Sequence, residues 1–126
     1  MVQAHSSPDA PPEEQAYSHG VAANGFLFTA GQVPMTPSGD LVKGSVTAKT
    51  HRIMENLAAI LAEADLTFDD VVKTTAYFTD VGDFEEMDAA YAEYFDGAYP
   101  ARDVIEVEAL PADATIELVM IGALDQ

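Results

Sequence analysis

The feature that most constrains the fold of this chain is a change of hydrophobic period at Val46. From Val46 to Ala64, the residues Ile53, Leu57, Ile60, Leu61 and Ala64 fall on one stripe. Lys49, Arg52, Glu55, Asn56 and Glu63 fall elsewhere, so the spacing predicts an amphipathic helix. The segment that follows, VVKTTAYF from Val71 to Phe78, is rich in β-branched and aromatic residues and predicts a strand. Asp83 with Glu86 three positions on reads as a capping box. It opens a second helix carrying Phe84, Met87, Tyr91 and Tyr94 and ending near Asp96-Gly97. Upstream, the run from Tyr17 to Gly31 alternates Phe26 and Phe28 about Leu27, a strand pattern. Pro34 to Gly44 carries Pro37, Ser38, Gly39 and Asp40, a turn between two extended pieces. Asp103 to Ala109 and Thr115 to Ala123 predict two more strands, joined by the turn LPADA. Strand, strand, helix, strand, helix, strand, strand is an α+β order, with two helices on one face of a mixed sheet. The opposite face then lacks a cover, which favours association with further copies.

The chain has 126 residues, 48% of them hydrophobic, which suits one core rather than two. Residues 15–126 are expected to form that single domain, and the polar, proline-rich residues 1–14 a flexible arm. No apolar run approaches the roughly 20 residues of a membrane-spanning helix. The N-terminus lacks the basic-then-apolar pattern of a signal peptide. A cytoplasmic protein without a membrane partner is the expectation. There is no cysteine, which excludes disulfides, thiol nucleophiles and zinc–thiolate sites.

Asp and Glu number 22 against 5 Lys and Arg, a formal net charge of -17. Such a chain repels phosphate backbones, which argues against a nucleic-acid partner. It also repels itself at low salt. Because the acids are spread through periodic, apolar-rich segments, they read as the solvent faces of a folded, salt-adapted protein, as from a halophile.

Few side chains can carry chemistry. Arg102 follows Pro100-Ala101 and opens a predicted strand, where its guanidinium could grip a carboxylate with two parallel hydrogen bonds. An ion pair with one of the many acids is the alternative. Glu117 lies within the apolar strand TIELVMIGA, on one face with Thr115 and Val119. If buried it becomes a useful general base; otherwise it is one more solvated acid. Tyr17 could donate at a pocket rim or merely pack. His19 could approach the same pocket, but packing is the simpler role, and the three histidines form no metal cluster. The pairs Asp69-Asp70 and Glu85-Glu86 lack the loop of a calcium site and read as solvated caps. No serine elbow, phosphate loop or dinucleotide fingerprint is present.

Four segments, YSHGV, FTAGQVP, VVKTTAYFTDVGDFEEMDAAYAEYF and YPARDVIEVEALPADATIEL, resemble the RidA/YjgF (Rid) family in order and spacing from Tyr17 to Ala123. The resemblance implies a chorismate-mutase-like α+β fold, assembled as a homotrimer around an inner barrel with a pocket at each subunit interface. It implies deamination of 2-aminoacrylate, 2-iminobutanoate and related 2-imino acids to 2-keto acids and ammonia, without metal or cofactor. By that likeness Arg102 binds the substrate carboxylate and Glu117 positions the attacking water. Tyr17 closes the pocket from a neighbouring subunit, Gly31 and Val104 lend backbone groups, and Phe84 helps wall it. A trimer that only binds or senses 2-keto acids is the alternative. Three departures bear on rate and substrate: Gln15-Ala16 where Gly-Pro often precedes the tyrosine, Ala30 for the usual serine, and Asp103 directly after the arginine. Turned inward, Asp103 would compete for Arg102.

Overall fold

The computed structural model describes residues 2–124. Its elements run β1 (Gln3–His5), β2 (Gly20–Ala23), β3 (Phe26–Thr29), α1 (Val46–Ala62), β4 (Val71–Phe78), α2 (Phe84–Ala92), β5 (Ala101–Glu106) and β6 (Ile116–Ala123). The strands form one six-stranded sheet in the order β1-β2-β3-β6-β4-β5. Every pairing is antiparallel except β4 with β5, which are parallel and joined through α2. This is the mixed sheet with two helices that the hydrophobic pattern predicts.

The alternation of side chains decides which face meets the helices. Ile116, Leu118 and Met120 of β6 are fully buried with Ala76 and Phe78 of β4 and Leu27 of β3. They pack against Ile53, Leu57 and Leu61 of α1 and Met87 and Tyr91 of α2. Each such large apolar side chain contributes about 1.5–3 kcal/mol on burial. The intervening residues Glu117, Val119 and Ile121, with Phe26 and Phe28, lie on the opposite face. Phe26 and Phe28 are 41% and 45% exposed, so that face is uncovered within one chain.

The helix ends follow from local chemistry. Ser45 accepts from the Ala48 N–H at 3.0 Å and opens α1. At its other end Asp65 adopts a left-handed φ of 58°, and the Leu66 N–H returns to the Leu61 carbonyl at 3.0 Å.

Several expectations change. The run from Tyr17 to Gly31 is not one strand but a β2–β3 hairpin, turned at Asn24 and Gly25 with φ of 53° and 82°. The second extended piece is no named strand; Pro34 to Gly44 holds only a single bridge between Met35 and Leu41. The Asp83–Glu86 capping box does not form. Glu86 instead accepts from the Thr47 N–H at 2.9 Å and the Thr47 hydroxyl at 3.0 Å, so a residue of α2 caps α1. Within the N-terminal segment Gln3–His5 pair as β1 with β2, and Ser7 and Ala10 are buried where the His19 ring meets the backbone of Ser7 and Pro11. Asn56, off the apolar stripe, is nevertheless drawn into the interior. Asn56 is fully buried, accepts from Arg52 at 2.9 Å and donates to the Met35 carbonyl at 2.8 Å. That node fixes the loop after β3, which matters for the site below.

Candidate functional site

Arg102 is the second residue of β5, opposite Thr74 in the parallel register. Thr74 is buried beneath the helices, so the register sends Arg102 to the same side, towards α2. There its guanidinium lies 4.9 Å from the centre of the Phe84 ring and 5.1 Å from that of Tyr91. Stacking on both rings holds the fork against the helix. Nη1 meets the Asp88 carboxylate at 2.6 Å. Tyr91 is itself anchored, donating its hydroxyl to Thr74 at 2.9 Å, and burial pushes its pKa up so that it stays neutral. Val104 lies on the same side two residues on, in a recess with Val81, Gly82 and Phe84. Asp103 alternates to the opposite side and pairs with Lys73 at 2.8 Å. The acid that competes for Arg102 is therefore Asp88, not Asp103.

Glu117 stands on the other face of the sheet. The bridge between Gln32 and Leu118, with hydrogen bonds of 2.9 and 3.0 Å, draws the end of β3 alongside β6. Gly31 thereby comes directly under the Glu117 carboxylate: a Cβ on that glycine would lie 2.5 Å from Oε2. No left-handed φ is involved, so it is close approach that requires glycine. Glu117 is half-buried, and burial alone raises its pKa. Among the described residues no donor is bonded to its carboxylate. It lines a cavity of about 350 Å³ with Pro11, Gln15, Tyr17, Gly31 and Ala112. The Tyr17 hydroxyl donates to the Pro12 carbonyl at 3.2 Å; its pKa is raised by burial, then by Glu13 and Glu14, so it stays protonated.

The predicted residues thus fall into two groups. Tyr17, Gly31 and Glu117 share one cavity. Arg102 lines another of about 320 Å³ with Asp88, Tyr91, Tyr99 and Pro100, close to Phe84 and Val104. A carboxylate grip and a polarised carboxylate are both present, but on opposite sides of the sheet. Among the described residues no three metal-ligating side chains cluster, and no helix is long and apolar enough to cross a membrane. Asp88 and Tyr91 escape a reading of the sequence for chemistry, although positions 84, 88 and 91 share one helical face, a spacing that could have pointed to them.

The chain as a whole is similar to known proteins. Residues 7–124 match the family described as Endoribonuclease L-PSP. A RutC family protein of Pyrococcus abyssi is 44% identical over 107 residues, spanning 84% of this chain and 84% of that protein. The crystal structure of yeast Mmf1 superposes with a TM-score of 0.96 at 32% identity, covering 99% of this chain and all of that one. That of Escherichia coli TdcF with bound serine superposes with a TM-score of 0.90 at 30% identity, covering 96% and 98%.

Proposed function

The chain belongs to the Endoribonuclease L-PSP family, and from that premise we propose that it hydrolyses reactive 2-imino acids to 2-keto acids and ammonia. The observation that carries this reading is Glu117: a half-buried carboxylate of raised pKa, pressed against Gly31 and free of any described donor. Such a group is a better base than a solvated carboxylate. It still needs a means of holding an anionic substrate over it, which its own cavity does not supply. Arg102, on the edge strand β5, supplies that means from its own partly open cavity beside α2. The two groups meet if a second copy packs its β5 edge against the uncovered sheet face. A ring of three such copies closes the arrangement, with each site shared by two subunits.

In that composite site Arg102 binds the substrate carboxylate with the part of its fork that Asp88 leaves free. Water lies between the Glu117 carboxylate and C2 of the imine. Glu117 takes a proton from the water as its oxygen bonds to C2, and the C=N bond becomes C–N. That proton passes to nitrogen to give the carbinolamine; the hydroxyl proton then follows it to nitrogen through Glu117, the C–N bond breaks, and ammonia leaves as C–O becomes the keto group. Enamine forms enter by a proton shift to C3. Positioning and base assistance are each worth orders of magnitude in rate for so electrophilic a carbon. No cofactor takes part in this scheme.

A trimer that merely binds 2-keto acids would need Arg102 alone, and the placement of Glu117 favours hydrolysis over it. TdcF with bound serine supports a small amino-acid-like ligand for this fold. Ribonuclease action, which the family's name carries, fits this chain poorly. Four of its five cations are engaged, by Thr115, Asn56, Asp103 and Asp88, within a net charge of -17. The test couples a serine or threonine dehydratase to this protein in molar salt and follows keto-acid release against semicarbazide, which traps the imine. Wild type should accelerate release and Arg102→Ala should not. Equal failure of both proteins would overturn the reading.

A further inference from the structure

The N-terminal segment up to Tyr17 supplies Pro11, Gln15 and Tyr17 to the Glu117 cavity. Pairing of β1 with β2 ties down Gln3–His5, and between there and the cavity one buried ring holds the segment. His19 is 2% exposed, and its Nδ1 lies 3.0 Å from the Ser7 N–H. Its Nε2 lies 2.6 Å from the Pro11 carbonyl oxygen. A backbone N–H can only donate and a carbonyl can only accept, so the partners determine the proton's place. Nδ1 is bare, Nε2 carries the hydrogen, and the ring is neutral. The main chain of His19 adds two ties, donating its N–H to the Glu13 carboxylate and accepting the Ala30 N–H at 2.8 Å. Ala30 directly precedes Gly31, so one residue joins the arm to the strand end beneath Glu117.

We propose that His19 is a positioning residue, a clasp that holds the arm as one wall of the Glu117 cavity and opens when the ring is protonated. Protonation places a hydrogen on Nδ1 facing the Ser7 N–H, turning a hydrogen bond into a contact between two donors. The ring is buried, so water cannot take over as partner while the arm stays down. Of the groups packed around it, Glu13 on the arm is charged, and His5 on β1 pairs with Gly20 next along the chain. Pro37, from the loop after β3, brings no charge. Release of the arm withdraws Tyr17 and its bond to Pro12 from the cavity. The effect on catalysis rests on the deaminase reading; the clasp does not.

The test uses the full chain and reads the arm apart from activity. In 15N-labelled wild type at about pH 8, the His19 ring should show the Nε2–H tautomer; the Nδ1–H tautomer would overturn the clasp. Protection of the Ser7 amide against hydrogen exchange should fall about tenfold or more as acidification protonates the ring, followed by its 15N shifts. In His19→Gln nothing at this position titrates, so whatever protection Ser7 keeps should be nearly constant with pH. Equal pH dependence in both proteins would sink the proposal. The acid limb of kcat/KM should flatten in His19→Gln alongside. If Ser7 responds as expected while neither protein deaminates, the clasp stands and the deaminase reading fails. If both deaminate and Ser7 does not respond, the clasp fails alone.

Discussion

The Glu117 carboxylate occupies the space that a side chain at position 31 would need, with Oε2 2.5 Å and Cδ 2.7 Å from where a Cβ would stand. The obstructing atoms are the far end of a flexible side chain, so Gly31→Ala can be relieved by turning Glu117 away. The fold should survive with a small change in melting temperature. On the proposed deaminase mechanism kcat should drop about 10- to 100-fold, because a displaced Glu117 would no longer line up the water. Thermal unfolding beside steady-state kinetics checks this. Large destabilisation with unchanged kcat would show that the contact serves packing.

Asp88 holds Arg102 at 2.6 Å, but its side chain is 44% exposed, so the pair contributes little to stability. Its larger consequence is competition with an anionic ligand. Asp88→Asn keeps the shape and removes the charge. KM for a 2-imino acid, or Kd for a 2-keto acid measured by calorimetry, should fall several-fold while kcat changes little. Arg102→Lys should not substitute, since an ammonium cannot stack between Phe84 and Tyr91 as a planar fork does.

Much of this was legible in the residues. The stripe at Ile53, Leu57, Ile60 and Leu61 and the β-branched run at Val71–Phe78 survive because burial and local preference agree there. The β2–β3 hairpin was missed although Asn24-Gly25 carries its turn signal, because apolar residues on both sides read as one strand. Period 2 puts Arg102 and Asp103 on opposite faces, but which face meets α2 depends on the register with β4, a long-range fact. Glu86 and Asp88 look alike among 22 acids; only the packing of α2 against α1 and β5 makes one a cap and the other a partner for Arg102. The His19 clasp depends on ring nitrogens meeting Ser7 and Pro11 across the arm, which no local pattern encodes.

Burial raises the Glu117 pKa, so folding disfavours its ionised form. A raised carboxylate pKa contributes stability that is fully present below the ordinary carboxylate value, about 4.3, and is lost as pH rises through the folded value. Glu117→Gln should therefore be more stable than wild type at neutral pH, and the advantage should vanish below roughly pH 4. On the proposed mechanism catalysis should be lost throughout. Melting temperatures of both proteins across this range check it; an advantage that persists at low pH would mean the gain has nothing to do with ionisation.

Every described aspartate and glutamate is exposed or half-buried, and the net charge is -17, so repulsion acts mainly through solvent. Salt screens such repulsion over about 10 Å at 0.1 M and about 3 Å at 1 M. Melting temperature and assembly mass should rise together with KCl towards the molar range. Indifference of both to salt would remove the argument for a salt-adapted protein.

The placement of Arg102 and Glu117 in separate cavities makes the shared site directly testable. Arg102→Ala and Glu117→Gln should each be inactive alone. When the two variants are unfolded together in equal amounts and refolded, subunits mix at random around the ring. A working site then needs an intact Arg102 from one neighbour and an intact Glu117 from the other, in that order. About a quarter of the interfaces meet this condition, so roughly a quarter of wild-type activity should return. If each subunit instead carried a complete site, every subunit in the mixture would still lack one of the two groups. Mixing would then restore nothing, and the proposed assembly would have to be abandoned.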